Sequence, residues 1–401
     1  MIALRQGYAT GALLGALWML TLSVTVAVAI AFATGEAIRP SIGFSLVWGA
    51  LLGAAMMHVT GHLRFGLVIG VLFFAVLSGL GPLQVASDGW LWAIVTSALA
   101  VAFAYAMDAT LLGLEPGPND RHVFEAAVIR FLTGFGYIFF TAIVAIPFWV
   151  MLMTSFKNRA ELTANPLDFS IDFSKGWELF RSYEELFTQF NFGTYLVNSF
   201  FISVITVIVT LLFAIPGAYA VARLRFSGQK AFSRGILLIY MVPMIVLALP
   251  IYIGFSITGL RNSIAGILMI YPVTTIPVAL YMLQGYFRGL PAEVEEAGLM
   301  DGLSRLQVIW KITLPLSLPA LASVSLYVFM IAWNEFLLAF MLLDDPSKFT
   351  LTRGIASLNS SEIPRQHLMA GSVIATVPIM AIFLGLERFM TKGLTAGSVK
   401  G

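Results

Sequence analysis

Apolar and polar positions in this chain are segregated into long blocks rather than alternating residue by residue. Charge-poor blocks lie near 10–34, 43–58, 65–82, 90–112, 131–155, 195–222, 232–256, 263–286, 317–343 and 367–390. Several exceed the roughly 18 residues that a helix needs to cross a hydrocarbon core about 30 Å thick. In lipid, backbone groups must be satisfied within their own segment, so such blocks predict helices. The expected fold class is an all-α polytopic membrane protein with about ten transmembrane helices. The block at 43–58 is short, and His58, His62 and Arg64 leave little room for a connection to the third. The first block is longer than the apolar core of a signal peptide, although Ala31-Phe32-Ala33 resembles a cleavage site, and is read as a retained helix.

The polar intervals organise these blocks. Glu115-Pro116-Gly117-Pro118-Asn119-Asp120 combines proline, glycine and acids and predicts a division there, with residues 1–120 forming about four additional helices before a core over 121–401. Segment 156–194 carries Glu161, Asp168, Asp172, Lys175, Glu178, Arg181, Glu184 and Glu185 and is polar enough to fold as a small cap outside the membrane. With the N-terminus inside, most of the 23 lysines and arginines fall on the cytoplasmic side, favouring an orientation with both ends cytoplasmic.

Composition agrees: 59% of the 401 residues are hydrophobic and 11% charged, and the mean hydropathy is +0.90. A water-soluble fold has no way to bury that much apolar surface. A net charge of +2 offers no electrostatic footprint for nucleic acid. The absence of cysteine excludes disulfides, thiol catalysis and thiolate-held metals, and with only four histidines no metal site and no catalytic residue is expected.

The most informative interval lies between the eighth and ninth blocks, over 287–316. Pro291 suits a first helical position, Glu293, Glu295 and Glu296 sit where the helix dipole favours negative charge, and Gly302 suits the left-handed residue closing the helix. Leu303 to Ile312 reads as a second short helix, broken where Leu314-Pro315 and Pro319 lead into the next span. The product is an angled pair held at the membrane face. Ala297 and Gly298 leave a small-residue patch for a partner backbone, beside carboxylates that could meet partner cations.

Here the chain resembles a known family. Glu296-Ala297-Gly298, three residues, Gly302, nine residues and Ile312-Thr313-Leu314-Pro315 is similar to the signature loop of ABC importer permeases, Glu-Ala-Ala, three residues, Gly, nine residues, Ile-x-Leu-Pro. It departs only in Gly298, which keeps the site small. Val242-Pro243 with Pro250, Gly259 to Ser263, Ala332 to Phe336 and the terminal Gly393 to Gly401 resemble the carbohydrate, maltose-type branch across roughly 131–401.

The resemblance implies a six-helix importer core in a bacterial or archaeal cytoplasmic membrane. It implies a second permease, a pair of ATP-binding subunits and an extracytoplasmic solute-binding protein as partners, with a sugar as cargo. The loop would then be the coupling helix, with Glu295, Glu296, Ala297, Gly298, Asp301, Gly302, Ile312, Leu314 and Pro315 as its coupling residues. Gly393, Leu394, Thr395, Ala396, Gly397 and Lys400 would form a second ATPase contact. No Gly-x-x-x-x-Gly-Lys-Ser/Thr phosphate loop occurs, so this chain is expected to carry no cofactor, with ATP and Mg on the ATPase partner.

Polar groups at membrane depth make Asn334 and Glu335 candidates for the translocation path, although Glu335 also suits a packed helix interface. Asp108 and His58 suit interfacial positions, and Gly49 and Gly53 have the spacing of close helix packing. Two rivals stay open: a self-sufficient secondary transporter, which needs a mid-membrane ion site, and an integral membrane enzyme, which needs acids or histidines clustered at a membrane face.

Overall fold

A computed structural model describes residues 5–59, 62–85, 90–166, 168–240, 242–360 and 362–395. Packing divides the chain into two compact units, 1–179 and 180–401. In the first lie α1 (Gly7–Thr34), α2 (Ile42–Ala55), α3 (His62–Leu77), α4 (Leu91–Thr110), α5 (Arg121–Ser155) and α6 (Arg159–Ala164), with one short antiparallel pair, β1 (Ile38–Pro40) and β2 (Leu83–Val85). The contact-based boundary falls later than the compositional break at 115–120, because α5 packs on α1 and α4. The polar segment 156–194 is shared, with 156–179 in the first unit and 180–194 in the second.

Glycine decides how the first unit is built. A Cβ on Gly49 would stand 2.4 Å from the Gly15 carbonyl oxygen, and one on Gly53 would stand 2.1 Å from that of Gly11. Only hydrogen fits, so two small-residue pairs four apart let α1 and α2 touch backbone to backbone. The Gly49 and Gly53 spacing thus serves packing within this chain, against Gly11 and Gly15. Around this contact Leu14, Trp18, Met19, Leu52, Met56, Leu99, Phe103 and Met107 form a buried core. Trp18 donates its ring N–H to Thr110 Oγ1 at 2.9 Å, satisfying its one polar atom. The polar residues expected at span ends find partners: Arg64 pairs with Asp108, and the Tyr8 hydroxyl lies 2.6 Å from His58 Nε2. In the polar segment, the Asn158 side chain caps α6, while Lys157 pairs with Asp168 at 2.7 Å and Lys175 pairs with Glu161.

The second unit contains α7 (Arg181–Gln189), α8 (Phe192–Arg223), α9 (Gln229–Tyr240), α10 (Met244–Ile257), α11 (Ile264–Gly289), α12 (Ala292–Met300), α13 (Arg305–Val308), α14 (Leu314–Leu316), α15 (Leu318–Asn334), α16 (Leu337–Leu342), α17 (Leu351–Ser357) and α18 (Arg365–Thr395). Its centre is α8 and α11, held by buried apolar side chains and by a buried Thr210–Thr275 hydroxyl pair at 2.6 Å. Prolines 216, 272 and 277 lie inside these helices. A proline missing one backbone donor is tolerated in membrane helices because neighbouring groups re-satisfy the freed carbonyl.

Among the described residues, α1, α4, α5, α8, α11 and α18 are long and apolar enough to cross a membrane, α2, α3 and α10 are shorter apolar helices, and α15 forms a bent pair with the helical stretch before it. Each predicted block coincides with one of these. Two blocks are broken inside. The 232–256 block splits into α9 and α10 around Val242-Pro243, since proline lacks the N–H a continuous helix needs and disfavours helical backbone just before it. The 317–343 block ends its first helix at Asn334, and the chain is extended at Glu335 before α16 begins.

Candidate coupling site and translocation residues

The predicted angled pair is present. α12 spans Ala292–Met300, with Pro291 preceding it as the capping residue rather than occupying the first helical position. Glu293 and Glu295 lie in its first turn. Gly302 has φ +84°, the left-handed conformation glycine adopts without strain. The turn it makes returns three orphan carbonyls to use: Asp301 N donates to Ala297 O at 2.9 Å, Gly302 N to Leu299 O at 3.1 Å and Leu303 N to Gly298 O at 3.1 Å.

α13 then opens on a capping box in which Ser304 and Gln307 exchange side-chain and backbone bonds. The Ser-x-x-Gln spacing carries this capping signal in the sequence itself. The helix continues through a wider π turn, Ile309–Thr313, into α14. An 80° bend separates this stretch from α15. It falls at Ser317, between Pro315 and Pro319, so the prolines expected to break the helix flank the corner.

The paired glutamates divide their work. Consecutive positions on a helix point about 100° apart, and Glu296 is exposed while Glu295 is buried. Glu295 Oε1 accepts from Thr313 Oγ1 at 3.0 Å and lies 3.5 Å from Arg223 Nε, and Oε2 accepts from the Tyr219 hydroxyl at 3.3 Å. It therefore answers a cation of its own chain, Arg223. Gly298 is also turned inward: a Cβ there would stand 2.5 Å from Ile312 Cδ1. Its smallness serves contact with Ile312, whereas Ala297, Asp301 and Gly302 remain exposed. Leu314 is half-buried and Pro315 exposed. Three large apolar side chains of the pair also face outward: Met300 is 88% exposed, Leu306 66% and Trp310 67%.

Asn334 is exposed and donates to Met330 O of its own helix at 2.9 Å. Glu335 is engaged on every side. It accepts from Tyr271 Oη at 2.9 Å, from Leu338 N at 2.8 Å and from Ala339 N at 3.1 Å, closing the start of α16 against α11. These partners fit the packed-interface alternative for Glu335. Gly393, Leu394 and Thr395 form the end of α18, and Ala396, Gly397 and Lys400 lie outside the described residues.

The Gly259 to Ser263 run acquires a physical role that sequence had not disclosed. Gly259 and Asn262 take positive φ, and Asn262 Oδ1 accepts from Asp344 N at 3.1 Å and Asp345 N at 3.0 Å. Arg261 pairs with Asp344 at 2.5 Å, and Ser263 caps α11. The run ties the α10–α11 turn to the loop after α16.

The proteins that this helical chain, with its angled and capped helix pair, matches are transport permease subunits rather than enzymes. Residues 214–395 match the family described as binding-protein-dependent transport system inner membrane component. The inner membrane ABC transporter permease protein YcjP of Escherichia coli is 37% identical over 270 residues, covering 66% of this chain and 95% of that protein. The trehalose/maltose transport system permease protein MalG of Thermococcus litoralis is 32% identical, covering 69% and 99%. A crystal structure of a bacterial ABC transporter involved in the import of the acidic polysaccharide alginate shares the fold, with a TM-score of 0.56 and 24% identity over 67% of this chain and 98% of that one. The chain belongs to the family of ABC importer permeases, multi-pass inner membrane subunits of binding-protein-dependent transport systems. The relatives and the solved structure align about two thirds of the chain.

Proposed function

We propose that this permease conducts a carbohydrate, an oligosaccharide, glucoside or related polyol, together with a second permease, and that its 291–315 loop takes the stroke from a separate pair of ATP-binding subunits. The relatives named for trehalose, diacetylchitobiose and arabinooligosaccharides support a sugar cargo. The observation that carries the coupling role is the exposed Met300, Leu306 and Trp310 beside exposed Glu296, on a knob stiffened by Gly302. Such a surface suits a groove on a partner that offers apolar contact and a cation. ATP and Mg belong to that partner, and an extracytoplasmic binding protein delivers the solute.

Both termini lie in the cytoplasm in this reading. The Gly393 to Lys400 tail makes the second ATPase contact, residues 121–401 form the transport core, and residues 1–120 are an addition to it. Closure of the ATPase pair displaces the knob and shifts the spans between inward-open and outward-open states. The test is gentle purification of the tagged chain from its native membrane, with mass spectrometry of what accompanies it. An ATPase bearing a phosphate loop, a second permease and a sugar-binding protein are expected. Recovery of the chain alone, or normal uptake by a Gly302→Pro variant, would overturn the assignment.

A further inference from the structure

The carboxylate of Glu295 sits where three elements of the second unit meet. It belongs to the first turn of α12, it takes hydrogen bonds from Tyr219 on α8 and from Thr313 in the π turn that leads to α15, and it faces the guanidinium of Arg223, the last residue of α8. Arg223 also donates through Nη2 to the carbonyl of Leu290, at 2.7 Å, just before α12 begins. One buried acid and one arginine thus hold both the entrance and the body of the coupling helix to the end of α8. Arg223 Nε has no hydrogen-bond acceptor, so this part of the contact is an attraction between charges rather than a directed bond.

We propose that Glu295 is a positioning residue for transport: the joint that makes the coupling helix, the end of α8 and the π turn before α14 move as one body. This rests on the coupling role proposed above for the loop. A buried carboxylate cannot leave its partners without stranding its charge and theirs in a medium of low polarity, so separation is strongly resisted. Displacement of the exposed face at Glu296 is therefore carried through Glu295 into α8 and into the helical stretch that leads to α15. Without the joint, the knob still presents Glu296, Met300 and Trp310 to a partner but turns on its own. ATP hydrolysis then proceeds while the spans lag.

The experiment uses the complete transporter, with its second permease, ATPase pair and binding protein, reconstituted in liposomes. Solute moved per ATP hydrolysed is compared for the wild type, Glu295→Ala, Glu295→Gln and Tyr219→Phe. The ratio falls by about tenfold in Glu295→Ala, with smaller losses in the other two, while the subunits still co-purify in normal proportion. A purely structural role lowers the amount of complex but leaves the ratio per complex untouched, and that outcome sinks the proposal. If Glu295→Ala does not assemble, Glu295→Gln and Tyr219→Phe decide it on the same ratio. A second readout uses the absence of native cysteine: spin labels at Met300→Cys and Arg225→Cys report the distance from the knob to the segment that leaves α8. That distance is narrowly distributed in the wild type and broad in Glu295→Gln, and equal widths overturn the joint. A wild-type chain that recruits no ATPase refutes the coupling role itself, a result distinguishable from an intact transporter indifferent to Glu295.

Discussion

Gly298→Ala and Gly302→Ala add the same methyl group four residues apart, and their outcomes are predicted to differ. At 298 the added Cβ stands 2.5 Å from Ile312 Cδ1, with Leu303 Cδ1 at 3.5 Å and Val308 Cγ2 at 3.6 Å. The crowded atom is the end of a flexible side chain and needs to retreat by about 0.9 Å to reach ordinary contact near 3.4 Å. An off-rotamer isoleucine costs about 0.5–1.5 kcal/mol, and alanine in place of glycine inside a helix returns about 1 kcal/mol. The two nearly cancel, which also explains how the alanine of the family pattern occupies the same position.

At 302 nothing crowds the new methyl, but φ is +84°. A left-handed L-residue costs roughly 1–2 kcal/mol, while the loss of unfolded-chain freedom returns only about 0.4–1 kcal/mol. The net is about 1 kcal/mol against the turn, concentrated on the three bonds that set the angle between α12 and α13. In reconstituted uptake, Gly298→Ala stays within about twofold of wild type and Gly302→Ala falls several-fold, since about 1 kcal/mol changes the ratio of formed to unformed turn by roughly fivefold. Equal uptake by both variants, or a greater loss at 298, would refute the assignment of the angle to Gly302.

Other substitutions test other parts of the molecule. Gly15→Ile or Gly49→Ile forces α1 from α2 by more than a methyl radius and costs about 1–3 kcal/mol or more by overpacking, lowering the thermal unfolding midpoint of the purified protein; an unchanged midpoint would show the contact to be dispensable. Burial tends to raise the Asp168 carboxyl, but hydrogen bonds from Lys157 and Ser170 outweigh it and hold it at about 2. A depressed carboxyl stabilises the fold above its unfolded value near 3.8, and that contribution is lost as pH falls toward 2. Solvent screening keeps it to about 1 kcal/mol or less, so the wild type unfolds later than Asp168→Asn at pH 5 and the gap shrinks by pH 3. Glu335→Ala uncaps α16 and strands the Tyr271 hydroxyl, costing on the order of 2–4 kcal/mol, with solute KM unchanged in the protein that remains folded. A shifted KM at unaltered stability would instead put Glu335 in the path.

Sequence alone determined the class of this protein. Ten charge-poor blocks had to become helices because lipid offers the backbone no other partner, and Gly302 and Pro291 marked the ends of α12 because capping is a local matter of φ and missing donors. The spacing from Glu296 to Pro315 sufficed to recognise the family because the motif lies within one contiguous stretch. What the tertiary structure decided was the direction of each side chain. Glu295 and Glu296 are chemically identical neighbours, and only the positions of Tyr219, Arg223 and Thr313 make the first an internal anchor and leave the second exposed. Likewise Gly49 and Gly53 declared a close approach without naming Gly11 and Gly15, and Glu335 suited both a path and a packed interface without revealing its contacts to Tyr271 and the start of α16. Local conformation follows from the chain's own covalent chemistry, whereas the use of a polar or small residue depends on partners brought to it from far along the chain.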